Sequence, residues 1–328
     1  MLKPRDLIFI FFILIISTSQ LFSQGQNKSV KPLPGEGIYA LLLRNGLNPQ
    51  KYFNDFLELN QGKFGKDNSL LTHNTYILPE NDQILVEPLW GKKREEYRIE
   101  SHELDGAVIY LISGHGGPDP GASGKYGEHI LNEDEYAYDI TLRLGKRLRE
   151  MGATVYFIVQ DENDGIRDDQ FLEYDNDETC MGEVVPLDQT ERLRQRVKKV
   201  NQLSKENKSV KYQRSISIHL DSRSNTEQID VFFYYHHSSK KGRDMAETLR
   251  ETMDAKYKQH QPSRGFSGTV EERGLYEVKF TRPVSVFIEL GNIRNYRDQQ
   301  RFILEGNRQA LANWLSEGIV KDYQNSTK

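Results

Sequence analysis

Four side chains in this 328-residue sequence have the types and local settings needed for metal-assisted hydrolysis. His115 and His219 each follow or end an apolar, strand-like run, and Glu133 opens an amphipathic stretch. Glu289 ends the apolar run SVFIE, where a bare carboxylate would be costly and a general base useful. Two imidazoles and one carboxylate are a ligand set for catalytic zinc with an open fourth position. We therefore predict that His115, Glu133 and His219 bind Zn²⁺, and that Glu289 is the base that activates water.

Each of these residues has a plainer interpretation when it is considered alone. An acid at a helix start, such as Glu133, more often complements the helix dipole. A histidine at a strand end, such as His115, is usually a hydrogen-bonded turn residue. The combination of residue types at successive strand ends is what favours a metal site.

Helical phase separates Glu133 from the acids beside it. Glu133 lies four and seven residues before Ala137 and Ile140, which belong to the stripe that faces the sheet. A carboxylate on that stripe is costly unless a cation pairs with it. Asp134 and Glu135 fall on other faces of the helix, and we expect them to be solvated.

The elements that must position these residues alternate between strand and helix. Apolar runs occupy 107–112, 153–159, 215–220, 229–235 and 284–290. Stretches with helical periodicity separate most of them, which predicts an α/β domain with a mostly parallel twisted sheet and helices on both faces. Residues that follow parallel strands share one edge of such a sheet. The predicted ligands can therefore meet at a single mouth.

The N-terminus has the pattern of a secretory signal peptide. Lys3 and Arg5 precede an apolar run over 7–16, and small polar residues follow it. We predict a signal peptide over 1–23, a periplasmic or extracellular location, and no membrane span after cleavage, because no later stretch approaches the necessary length. An uncleaved anchor is the alternative.

Charge and cysteine content exclude several classes of protein. The formal net charge of -4 gives no general attraction to nucleic acid, so we expect no nucleic-acid partner. Cys180 is the only cysteine, which excludes an intramolecular disulfide and a cysteine-rich zinc site. A metal must therefore be held by histidine and carboxylate.

Residues 35–80, after a tether over 24–34, resemble a LysM module, a small α+β carbohydrate-binding fold. The residues that carry the resemblance are GEGIY at 35–39, RNG at 44–46, FLELN at 56–60 and YILP at 76–79. The resemblance implies two helices on a two-stranded sheet. A spacer without binding activity is the alternative, since fold alone does not give function. We expect the charged segment 81–104 to be a linker.

Residues 105–323 resemble the zinc-dependent N-acetylmuramoyl-L-alanine amidases of the AmiA/AmiB/AmiC type, the amidase_3 family. The matching motifs are GHGGPDPGAS at 114–123, Glu133 ahead of DITLRL, SIH at 217–219 and ELGNIRN at 289–295. The resemblance implies that zinc-activated water cleaves the amide between N-acetylmuramic acid and the L-alanine of the peptidoglycan stem. Peptidoglycan is the expected partner, and whether a protein activator also binds is left open by the sequence. The alternatives are a zinc peptidase acting on stem peptides and a catalytically silent wall-binding protein.

Several positions depart from the family pattern or lie outside its chemistry. Asp221 with Ser222, and Asn292, differ from the residues usual there, and we expect them to border the mouth. Arg196 and Asn201 match an Arg and Asn of the family, for which we expect a structural or ligand-supporting role. A long acidic insertion spans 160–186. It is typical of a solvated loop, with a lid, a partner site or a calcium site as alternatives, although its spacing fits no EF-hand.

Overall fold

The computed structural model describes residues 28–80 and 84–327. The chain divides into two compact units, Met1–Asn81 and Asp82–Lys328. The predicted signal peptide lies outside the described residues. In the described part of the chain, no helix has both the length and the apolar character needed to cross a membrane.

The first unit is a two-stranded sheet with two helices. Its elements are β1 (Ser29–Val30), α1 (Ile38–Arg44), α2 (Pro49–Leu59) and β2 (Tyr76–Ile77). The side chain of Asn48 caps α2, and Pro49 fits its first turn because that position needs no backbone N–H. The helices and the closing strand lie where the LysM resemblance places them. Strand β1, however, pairs with β2 from within the predicted tether, so the sheet recruits residues assigned to a spacer.

The second unit holds the remaining elements. Its strands are β3 (Leu85–Val86), β4 (Glu96–Tyr97), β5 (Ala107–Ser113), β6 (Ser123–Tyr126), β7 (His129–Asn132), β8 (Thr154–Phe157), β9 (Val159–Gln160), β10 (Thr179–Cys180), β11 (Glu183–Val184), β12 (Tyr212–Asp221), β13 (Phe232–Tyr235), β14 (Thr269–Glu272) and β15 (Val284–Asn292). Its helices are α3 (Glu133–Glu150), α4 (Gln189–Glu206), α5 (Lys240–His260), α6 (Tyr276–Phe280), α7 (Tyr296–Ile303) and α8 (Glu305–Ser326).

A six-stranded sheet in the order β14-β13-β15-β12-β5-β8 forms the centre of this unit. Strands β8, β5, β12 and β15 are parallel neighbours, whereas β13 runs antiparallel to β15. Alternate residues of β5 enter two separate cores: Ile109 and Leu111 pack in the cluster that includes residues of α3, α5 and α8, and Val108 packs with Val200 of α4. Helices therefore cover both faces, and the predicted α/β class is confirmed.

The segment predicted as a linker, over 81–104, belongs to the second unit in its described part. Trp90 is 1% exposed and packs edge-on against Tyr97, with ring centroids 4.9 Å apart. The ammonium group of Lys146 on α3 lies 4.4 Å from the centroid of the Trp90 ring. A charged segment with a single tryptophan has the composition of a linker, but here α3 supplies the surface that buries the tryptophan ring.

The insertion over 160–186 is also packed. Strands β9, β10 and β11 form a three-stranded antiparallel sheet, and Leu172, Cys180 and Val185 are buried. The expectation of a solvated loop holds for only part of the segment, since these buried residues attach it to the domain while many of its other residues are exposed. The segment is acidic overall, so its composition did not indicate that a few apolar residues attach it to the domain.

Candidate metal centre

The strand ends place three of the four predicted residues at one edge of the central sheet. His219 on β12 is paired in register with Glu289 on β15. Strand β5 ends at Ser113, beside Ile218, so His115 follows two residues after that strand. The parallel arrangement brings together side chains that are more than 170 residues apart in sequence.

His115 lies in a tight glycine-rich turn. Its φ of 61° is in the left-handed region, and Gly116 and Gly117 that follow also have positive φ. Gly114 is needed for a different reason, because a β-carbon there would lie 2.4 Å from Nδ1 of His219. The glycines therefore let the backbone turn sharply and let the two imidazoles approach each other.

The ring of His115 is held by residues outside the ligand set. Its Nδ1 lies 2.9 Å from Oδ2 of Asp119, and Arg192 donates to the same oxygen at 2.7 Å. The guanidinium of Arg196 donates to the backbone carbonyl of His115. These contacts orient the ring so that Nε2 lies 3.2 Å from Oε1 of Glu133. A carboxylate on the far nitrogen is the usual way to orient a histidine that binds a metal.

Glu133 is the first residue of α3, and its carboxylate lies between the two imidazoles. Oε1 is 2.9 Å from Nδ1 of His219 and accepts from the backbone N–H of Leu220 at 3.0 Å. Oε2 accepts from the N–H of Ala122 at 2.9 Å. Glu133 therefore lies on the buried face of α3, as its helical phase predicted. The expectation that Asp134 and Glu135 are solvated was wrong, because both side chains are buried as well.

We call His115, Glu133 and His219 the imidazole cluster. One potential ligand atom from each residue lies within 4.8 Å of those of the other two. Nε2 of His219 is buried and has no hydrogen-bond partner among the described residues. The ring itself stacks on Phe287, with centroids 4.1 Å apart. Two imidazole nitrogens and a carboxylate, one nitrogen unpartnered and one ring held by Asp119, fit a catalytic zinc ion.

The charges of the imidazole cluster depend on one another. Burial acts to lower the pKa of His115, but hydrogen bonds to Asp119 and Glu133 outweigh it and raise the pKa to about 10. Burial acts to raise the pKa of Glu133, yet the two histidines hold it well below its usual range. Without a metal, a proton on His115 thus balances the buried carboxylate. A bound divalent cation can replace that proton.

Glu289 occupies the same cleft in a different setting. Burial, reinforced by the negative charge of Glu133, raises the pKa of Glu289 well above its usual value. Its Oε2 has no hydrogen-bond partner among residues 28–80 and 84–327. The cleft has a volume of about 490 Å³ and is lined by all four predicted residues together with Arg192 and Glu277. The site can therefore accommodate a substrate group beside a base and a metal.

Three residues of the cleft were not predicted from the sequence. Asp119 lies within the GHGGPDPGAS motif, four residues after His115, and that spacing was the available signal. Arg192 and Glu277 had no local signal. Glu277 is 1% exposed, and neither of its carboxylate oxygens has a hydrogen-bond partner within the described ranges. Only the packing of α4 and α6 at the cleft brings these side chains to it.

The departures from the family pattern have separate structural roles. Asn292 is fully buried, and its amide donates to the carbonyls of Ser224 and Glu227 at 2.8 and 2.7 Å. It anchors the loop after β12 and does not border the mouth, contrary to expectation. Asp221 and Ser222 do line the cleft.

The two family-matched residues on α4 differ in what they hold. Arg196 supports the backbone of His115, as described above. Asn201 accepts from the N–H of Arg282 at 2.7 Å and donates to the carbonyl of Phe280 at 2.9 Å. Asn201 therefore ties α4 to the segment before β15, which is a structural role.

Two histidines and a glutamate at the carboxyl edge of a mostly parallel sheet, beside a second glutamate, are features typical of metal-dependent hydrolases. The family model of the N-acetylmuramoyl-L-alanine amidases, Amidase_3, matches residues 109–321. The match covers more than half of the chain, and the chain belongs to this family.

Curated relatives and solved structures resemble the same region. The chain is 24% identical over 225 residues to the "Probable cell wall amidase LytH" of Staphylococcus aureus, covering 67% of this chain and 60% of that relative. It therefore spans less than two thirds of the length of that relative. AmiC2 of Nostoc punctiforme is 21% identical with a TM-score of 0.48, over 67% of this chain and 98% of that one. The CwlD amidase from Clostridioides difficile, solved with the GerS lipoprotein, is 20% identical with a TM-score of 0.49, over 66% and 98%.

Proposed function

We propose that this protein is a secreted peptidoglycan hydrolase that cleaves the amide between N-acetylmuramic acid and the L-alanine of the stem peptide. His115, Glu133 and His219 would hold zinc, and Glu289 would act as the catalytic base. The observation that carries the proposal is the convergence of these four side chains in one cleft. Membership of the amidase family supports the choice of substrate.

The chain's own residues divide the work of the reaction. Zinc, when bound, supplies Lewis acidity and lowers the pKa of a coordinated water. Glu289 takes the proton of the attacking water and returns it to the leaving amine. Asp119 holds Nδ1 of His115, so that Nε2 faces Oε1 of Glu133 at 3.2 Å. Backbone N–H groups of Ala122 and Leu220 fix the carboxylate of Glu133.

Digestion of purified peptidoglycan tests this proposal. The zinc-loaded enzyme should release stem peptides with a free L-alanine amine, identified by mass. Chelation should stop the release, and added zinc should restore it. Internal stem-peptide termini would instead indicate a peptidase, and wall binding without products would indicate a silent binding protein.

We also propose that the N-terminal module binds glycan and that the protein is exported to the cell envelope. Tyr39 is 52% exposed and packs against Phe53, with ring centroids 5.3 Å apart, in a groove of about 530 Å³. Exposed aromatic rings of this kind suit stacking on sugars. Tyr39→Ala should weaken sedimentation of the full chain with insoluble peptidoglycan, whereas Leu43→Ala, exposed on the same helix, should not. Cell fractionation tests the location.

A further inference from the structure

Three buried acids lie next to the metal centre without belonging to it. Asp134 and Glu135, in the first turn of α3, and Glu178, in the insertion, are each at most 5% exposed. One carboxylate oxygen from each lies within 4.8 Å of those of the other two. We call these residues the carboxylate cluster. Burying three carboxylates together is very costly unless a cation or protons compensate.

Among the described residues, the hydrogen bonds of the carboxylate cluster leave one fully buried oxygen without a donor. Glu135 pairs with Arg167 at 2.9 Å, and Glu178 accepts from the N–H of Gly117 at 2.6 Å. Asp134 uses Oδ1 to accept from the N–H of Glu135 at 2.9 Å. Its Oδ2 is buried and meets no hydrogen-bond donor in the described part of the chain. Asp134 is 1% exposed, so this oxygen is also shielded from solvent.

Three more acids of the insertion lie close by. They add negative charge, so they do not compensate the buried carboxylates. Asp161, Asp164 and Asp175 form a second group whose oxygens lie within 4.8 Å of one another. The backbone N–H of Asp175 donates to Glu135 at 3.1 Å, which joins this group to the carboxylate cluster. Arg167 pairs with both Asp164 and Glu135. One guanidinium is thus shared between the two groups of acids.

We propose that a hard divalent cation of the calcium class binds among Asp134, Glu135 and Glu178. The donors are all carboxylate oxygens, which suit calcium and not zinc, and water completes the coordination. The unpartnered Oδ2 of Asp134 is the ligand that the protein leaves available. The ligands come from a helix start and from a loop more than 40 residues later, so no EF-hand spacing exists to reveal them.

The cation fastens the insertion to the catalytic domain. Glu178 already contacts Gly117, two residues after His115 in the glycine turn. Val159 and Val185, at the two ends of the insertion, lie beside Gly116 and Gly117. A cation held by both α3 and Glu178 joins the insertion to the turn that carries a zinc ligand. The cation site does not require the proposed amidase activity, and its test is separate.

Terbium luminescence provides the test. The full mature chain is stripped of metal, reloaded with zinc and titrated with Tb³⁺, whose emission is excited through nearby tyrosines. We expect about one Tb³⁺ per chain, displaced by Ca²⁺. Calcium alone should raise the melting temperature and slow proteolysis within 161–185.

Matched variants localise the site. Asp134→Asn should weaken Tb³⁺ binding about 10-fold or more, since even supporting residues of metal sites typically contribute that much. Glu183→Gln, an acid of the same insertion whose side chain is 59% exposed, should bind as wild type. His219→Ala should lose zinc and keep Tb³⁺ binding. Glu178→Gln provides the same measurement if Asp134→Asn does not fold.

Two results would overturn the proposal. The first is that Ca²⁺ neither stabilises the wild-type chain nor displaces Tb³⁺ from it. The second is Tb³⁺ affinity that is unchanged in both the Asp134 and the Glu178 variant. Loss of amidase activity with intact Tb³⁺ binding would count against the proposed function alone.

Discussion

The imidazole cluster and the carboxylate cluster begin on the same helical turn and yet have opposite chemistry. Glu133 points to two histidines, whereas Asp134 and Glu135 point to the acidic insertion. In the imidazole cluster, a proton on His115 can balance the buried carboxylate when no metal is present. In the carboxylate cluster, Glu135 pairs with Arg167, whose guanidinium also pairs with Asp164. The element that packs on each face of a helix therefore decides what a buried acid there can do.

The donor atoms of each cluster determine which metal it suits. Nitrogen and carboxylate together favour zinc, and carboxylates alone favour calcium. The metal that each cluster suits thus depends on whether the residues facing the first turn of α3 come from strand ends or from the insertion. Substitutions in the two clusters should therefore change different properties of the protein.

Breaking the imidazole cluster should have the largest effect. His219→Ala removes one of the three proposed zinc ligands and also the ring that stacks on Phe287. We expect zinc to be lost and peptidoglycan cleavage to fall to background, measured by metal analysis and by mass spectrometry of digests. His237→Ala, at a turn outside the cleft, is the control. A variant that still bound zinc and cleaved would rule out His219 as a ligand.

Removing the base should abolish chemistry while leaving the metal. Glu289→Gln keeps the size of the side chain but cannot accept a proton. We expect the rate of amide cleavage to fall by about 10²- to 10⁴-fold with zinc content unchanged. Glu272→Gln, on the edge strand β14, should have wild-type activity. Normal cleavage by Glu289→Gln would contradict the proposed mechanism.

Weakening the support of His115 should have an intermediate effect. Asp119→Asn replaces the charged partner of Nδ1, and we expect zinc affinity to fall by about 10- to 100-fold. Competition with a chromophoric chelator measures it. An NMR titration of the metal-free protein should also show a lower pKa for His115, because the hydrogen bond to Asp119 helps to raise it, whereas loss of a purely structural residue would leave that pKa unchanged. Glu128→Gln, an exposed acid in the β6–β7 turn, is the control.

The carboxylate cluster should make stability depend on pH when no cation is bound. Burial raises the pKa of Glu178 to about 7, opposed by its hydrogen bond from Gly117 and reinforced by Glu135 and Asp161. The folded state therefore binds the proton more tightly than the unfolded state. Stability should fall as pH rises from about 4.5 to about 7, by roughly 1–3 kcal/mol.

Chemical denaturation of metal-free protein across this range measures the dependence. Glu178→Gln should flatten it, and saturating Ca²⁺ should reduce it in the wild type. Stability that rises over the same range in the wild type but not in Glu178→Gln would show that the Glu178 carboxyl ionises more readily in the folded state than in the unfolded state.

The sequence was sufficient for the parts of the protein that depend on local pattern. Strand runs alternating with helical periodicity predicted the parallel sheet, because both periods follow from backbone geometry. Residues at strand ends, such as His115 and His219, could be expected at one edge for the same reason. The phase of α3 placed Glu133 on its buried face, and the family motifs agreed with that choice.

Only the tertiary structure decided which other polar groups are buried and what they contact. Asp134 was expected to be solvated and Trp90 to lie in a linker, and each is covered by a segment distant in the chain. Asp119 and Arg192 support His115 through a contact that spans 73 residues. Helical phase reports the face that meets the sheet, but it cannot report an insertion that covers the opposite face. Burial of a polar side chain is a property of both packing partners, and the sequence around one of them describes only half of that contact.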